Sequence, residues 1–136
     1  MKDIKVKIGI IVLIILLLLL HACTKTKKYD LNKEPKINMV LINKVITNSN
    51  VCDENWIREV ETLIKKLDKE TTEMKKIDND KIEDFIILQN EVKRNLQELV
   101  DYIKTNETMN KEVLVDNIKT SYIAYKDYYN KYLGGN

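Results

Sequence analysis

The sequence predicts an all-α fold: an elongated antiparallel bundle of three long helices, with a shorter fourth helix ahead of them. Three observations predict it. Beyond residue 52, apolar side chains recur at alternating steps of three and four along three stretches. Short polar breaks separate the stretches, which makes neighbouring helices antiparallel. The 136 residues include three Gly and one Pro, too few for a turn-rich β architecture.

The short element comes first. Pro35, well suited to a first helical turn, opens Lys36 to Thr47 (KINMVLINKVIT), where Ile37, Leu41 and Val45 recur every fourth residue. Its β-branched content would also suit a strand, but no second strand is available to pair with it. Asn48-Ser49-Asn50 breaks the pattern.

The first long helix runs from Asp53 to about Ile77. Its stripe is Trp56, Val60, Leu63, Leu67, Met74 and Ile77, widened by Ile57 and Ile64 and missed only at Glu70. Asp53 supplies an N-cap acceptor, and Glu54 suits the positive end of the helix dipole. After Asp78-Asn79-Asp80, Asp80 and Glu83 have capping-box spacing. The second stripe is Ile82, Phe85, Val92, Leu96, Leu99 and Ile103, with Gln89 at its one polar position. A polar residue in such a line more often sets register or partner number than chemistry. Asn106 to Asn110 is the next break. The third stripe is Val115, Ile118, Tyr122, Tyr125, Tyr129 and Tyr132, and Gly134-Gly135 stops the helix.

The N-terminus carries an address. Lys2, Lys5 and Lys7 precede Ile8 to Leu20, a run that is apolar throughout apart from Gly9. As a helix the run would span roughly 20 Å, short of the roughly 30 Å hydrocarbon core, which suits a signal sequence better than a membrane span. The run ends in Leu20-His21-Ala22-Cys23. This resembles the lipobox of bacterial lipoproteins, in which an aliphatic, a variable and a small residue precede a cysteine. Leu20 and Ala22 match, while His21 departs from the small or aliphatic residue usual there. The resemblance implies a diacylglyceryl thioether on Cys23 and cleavage after Ala22. It covers residues 1–23, and no family is recognised in the remainder. The expected organisation is a signal peptide over 1–22, a lipidated cysteine and flexible linker over 23–35, and the bundle over 36–136.

Thr24 to Glu34 (TKTKKYDLNKE) has few apolar residues and is expected to be a solvated spacer. Lys25, Lys27 and Lys28 within it could meet anionic headgroups. The chain has 23 basic and 21 acidic residues, and removal of residues 1–22 takes three Lys and one Asp, leaving the rest neutral on balance. Phosphate binding needs clustered uncompensated basic residues, so no nucleic-acid partner is expected.

Catalytic signals are weak. His21 is the one histidine and lies in the segment expected to be removed, and Cys52 has no histidine to activate it. Cys52 is expected to be a small half-buried residue ahead of a cap; an intermolecular disulfide is the alternative. No carboxylate pair stands out in an apolar setting. No enzyme activity, metal or cofactor is expected.

Tyrosines carry the most information. Tyr122, Tyr125, Tyr129 and Tyr132 share a face of the last helix, with Tyr128 beside them. One reading is core packing. The other is a half-exposed interface, where aromatic bodies bury and hydroxyls stay wet, and it nominates all five as partner-binding. The expected function is a lipid-anchored, non-catalytic module at the outer face of the cytoplasmic membrane. It would contact lipid through acylated Cys23 and bind another envelope or incoming protein, with exclusion or immunity as a narrower version. The alternative is a structural lipoprotein that self-associates as a coiled-coil homo-oligomer.

Overall fold

The computed structural model describes residues 14–15, 28–105 and 110–134. The lipobox, Cys23, most of the apolar run and Gly135 lie outside these residues. Four helices pack against one another: α1 (Glu34–Thr47), α2 (Glu54–Met74), α3 (Asp80–Thr105) and α4 (Lys111–Tyr128). The last continues into a π-helical turn, Tyr129–Leu133. The principal contacts run α1–α2, α2–α3, α3–α4 and α4–α1, closing the four into a ring around one core. Among the described residues, no helix is long and apolar enough to cross a membrane.

The up-down order gives the bundle two distinct ends. One gathers residues 48–53 and the starts of α2 and α4. The other gathers the start of α1, the turn between α2 and α3, and the π-helical turn. At 1.5 Å per residue, α3 is about 39 Å long and α1 about 21 Å. The short helix therefore flanks only part of its neighbours.

Local chemistry starts each helix. Asp53 accepts the Trp56 backbone N–H at 2.8 Å, as expected of an N-cap. Asn110, at the far edge of the predicted break, likewise accepts the Glu112 N–H at 2.9 Å. At α3 the capping residue differs from the expectation: Asn79, not Asp80, accepts the Lys81 N–H at 2.9 Å, and Asp80 is already helical. Helix α2 ends at Met74, so Ile77 reaches the core from the following turn, half-buried.

The stripe of α1 is rotated from the expected one. Pro35, Asn38, Ile42 and Val45 face the core, while Leu41 is half-buried and Ile37 is 36% exposed. The cause is polar. Asn38 is fully buried because its amide donates to the Glu70 carboxylate of α2, and that contact sets the helix's rotation. The spacer is also shorter than expected: Tyr29 and Leu31 pack against the core.

Leu67, Phe85, Leu96, Leu99, Ile118 and Tyr125 are fully buried at the centre. Three polar groupings interrupt this apolar interior. Gln89 donates to the Leu67 carbonyl at 3.0 Å and the Thr71 hydroxyl at 3.1 Å, tying α3 to α2. Asn95 donates to the Ser121 hydroxyl at 3.0 Å and the Asn117 carbonyl at 3.1 Å, tying α3 to α4. Glu70 with Asn38 and Lys66 ties α2 to α1. Each buried polar group finds a partner only at one axial offset between helices, so together they fix register.

Candidate functional site

The five nominated tyrosines do not form one surface. Tyr125 and Tyr129 are 0% and 1% exposed, so of the two readings core packing holds for them and their nomination to a half-exposed interface is corrected. The alternating three-and-four steps that align them are the same steps that turn a residue towards the core. Phe85 stacks on Tyr125 with ring centroids 4.7 Å apart, which fills the centre between α3 and α4. The Tyr125 hydroxyl donates to the Gln89 side-chain oxygen over a long 3.5 Å, and burial pushes its pKa well above the ordinary phenol value. Tyr129 turns its hydroxyl towards the chain's entry into the bundle, where the Leu31 and Asn32 carbonyls lie at 3.1 and 3.2 Å. Burial, and then the Asp30 charge, raise its pKa.

The other three stay in reach of solvent. Tyr122 is half-buried with Lys126 over its ring. Tyr128 is also half-buried, its hydroxyl within 3.1 Å of the Lys81 carbonyl and 3.3 Å of Asp84. Tyr132 is 42% exposed, although the predicted stripe places it with Tyr125 and Tyr129. The physical reason is the last turn. The π pattern closes with the Gly134 N–H on the Tyr129 carbonyl and winds the chain by less per residue than an α-helix does. Tyr132 is thereby carried off the core line and packs on Tyr128, ring centroids 4.7 Å apart. Lys131 and Lys81 lie 4.8 and 5.7 Å from its ring centre. Gly134 approaches closely here: a Cβ would stand 3.3 Å from both the Tyr129 ring and its carbonyl oxygen, so its neighbours would have to give by a few tenths of an ångström.

A second feature lies between α1 and α2. Leu41, Val45, Thr62 and Leu63 floor a groove of about 400 Å3, rimmed by Lys44, Arg58, Glu59 and Lys66. Lys44 and Glu59 close one side with an ion pair at 2.9 Å. Ile37 and Val40, 36% and 70% exposed, extend an apolar strip outward from Leu41 on the surface of α1. Sequence reading missed this strip because it assigned Ile37 and Leu41 to the core.

The third feature is ionic. Glu70, 7% exposed, accepts from Asn38 and pairs with Lys66, which also reaches Asn38 Oδ1 at 2.7 Å and Glu34 at 3.2 Å. The Tyr29 hydroxyl is buried beside this cluster without a hydrogen-bond partner among the described residues. Burial first, and then the Glu70 charge, push its pKa far above the usual phenol range. One ammonium, Lys66, serves two carboxylates, Glu34 of α1 and Glu70 of its own helix, so the cluster ties α2 to α1.

Cys52 is half-buried, as expected, in a left-handed conformation (φ 46°), and its thiol donates to the Ser49 carbonyl at 2.7 Å. Among the described residues, no group of three or more His, Cys, Asp or Glu side chains is placed to hold a metal ion. Comparison with family models, with curated proteins and with solved structures returned no match.

Proposed function

We propose that this chain is an exported lipoprotein, held by lipid on Cys23 at the outer face of the cytoplasmic membrane, that works as a non-catalytic protein-binding module. The observation that carries the binding role is what the fold leaves outside. The apolar stripes of α2, α3 and α4 pack inward within one molecule, which supports partner binding over a coiled coil between copies. Among the surfaces that remain, the groove between α1 and α2 joins an apolar floor to the exposed strip of Ile37 and Val40. A shallow apolar floor with a charged rim fits an amphipathic helix or a single apolar anchor of a partner protein. Tyr122, towards the middle of α4, adds a half-exposed aromatic contact on the bundle's flank.

The test uses the strip. Val40→Glu changes a side chain that is 70% exposed and should leave helix content and thermal midpoint unchanged. It should abolish crosslinking of the full-length protein, at the cell surface, to a partner captured by the parent. Capture undiminished by Val40→Glu would remove the groove from the proposal. A concentration-dependent dimer lost on the same substitution would favour self-association instead.

A further inference from the structure

The geometry points to the π-turn end of the bundle as the face that sits on the lipid headgroup layer, with Tyr132, Lys131 and Lys81 against it. This rests on the reading that Cys23 carries the lipid. Five residue steps separate Cys23 from Lys28, and a chain of that length reaches at most about 17 Å. The lead is fixed to the fold where it arrives. Tyr29 packs on the core, and Tyr129 reaches the carbonyls of Leu31 and Asn32. A body about 39 Å long, held by so short a lead at one end, keeps that end at the membrane.

The gap also decides the occupant. A space of at most about 17 Å is roughly half the diameter of a small domain, so a folded partner does not fit beneath the bundle. Lipid headgroups do. A partly exposed tyrosine flanked by lysines suits that layer, because the ring takes the apolar depth while the hydroxyl and ammonium groups stay in water. Exposed Lys28 and Lys33 stand beside the entry of the lead and add attraction to anionic lipid.

Carboxylates limit how the end can sit. Asp30 lies beside the lead, Asp84 beside Tyr128, Asp78 in the turn between α2 and α3, and Asp80 at the first residue of α3, all exposed. They oppose flat seating on an anionic surface. The bundle therefore leans onto the α4 side, where Tyr132 and Lys131 project, and lifts the α2–α3 turn. Aromatic contact, more than net charge, is what holds this end.

The experiment places a photo-reactive phenylalanine at position 132 or at position 113 in the full chain made in a lipoprotein-processing host. Val113 is also exposed, but it lies near the start of α4, about 29 Å further along the bundle axis. After illumination of intact membranes, the position-132 protein should gain the mass of one phospholipid, and the position-113 protein should not. Diacylated Cys23 with no phospholipid adduct at 132, with a protein adduct there, or with equal adducts at both positions overturns the orientation while leaving the tether intact. An unmodified Cys23 overturns both.

Discussion

At the residue scale, the Glu70 cluster is the most exposed to single substitutions. Lys66→Met leaves a carboxylate that is 7% exposed with Asn38 as its remaining donor. The expected loss on chemical denaturation is on the order of 2–3 kcal/mol, below the figure for a fully buried pair because Lys66 is 30% exposed. Replacing the three groups together, Asn38→Leu with Lys66→Met and Glu70→Leu, should recover most of that loss, since the most buried carboxylate is then gone and only the more exposed Glu34 loses its ion pair. A triple variant as unstable as the single one would contradict this ordering. Alkaline titration probes the tyrosines. Tyr29 and Tyr125 have folded pKa values raised above the unfolded phenol, so above about pH 10 the unfolded chain releases protons that the folded chain retains. Their contribution is fully present below that pH and is lost as pH rises past it. Tyrosinate absorbance from the buried rings should therefore appear together with loss of helical circular dichroism, and buried rings that ionised in a still-folded protein would contradict the burial. The sequence marked Glu70 and Gln89 as gaps in apolar stripes but could not say that both are buried. Their partners, Asn38 in one case and Thr71 in the other, lie on different helices, and no local pattern reports such a pairing.

At the scale of the element, caps were legible and rotations were less so. Asp53 was identified from its position ahead of an apolar stripe, and its side chain accepts the N–H that the rule requires. The start of α3 was displaced by one residue, because Asn79 and Asp80 are both capping residues and the capping-box spacing favoured the second. Asn79→Ala should therefore lower stability by about 1 kcal/mol, while Asp80→Ala should cost less, as a first-turn acid near the helix dipole. Denaturation midpoints of the two variants decide between them; a larger loss at Asp80 would make Asp80 the cap. Helix α1 was found in place and in type but turned the wrong way. A run with apolar residues on several sides, such as Ile37 to Ile46, holds more than one acceptable stripe, and a long-range bond from Asn38 selects among them. The tyrosine stripe holds at Tyr125 and Tyr129, while at Tyr122 the core line passes through the neighbouring Ser121, which is buried. It failed at Tyr132, where the change to a π-helical turn has no signal in residue spacing.

At the scale of the whole molecule, the all-helical bundle followed from three stripes and two short breaks, and the fourth helix completes it by packing on both α2 and α4. A functional surface was harder to find in the sequence. The residues most conspicuous there, Tyr125 and Tyr129, belong to the interior, and the apolar strip of α1 becomes visible only once that helix is rotated into place. What joins fold to function is the lead of five residue steps from Cys23 to Lys28, which would hold one end of a 26-residue helix beside the bilayer. Mass spectrometry of protein isolated from its native membrane tests this most directly. The expected result is a chain that begins at Cys23 and carries a diacylglyceryl group on its sulfur; a chain that begins at Met1, or at Cys23 with a bare thiol, contradicts it.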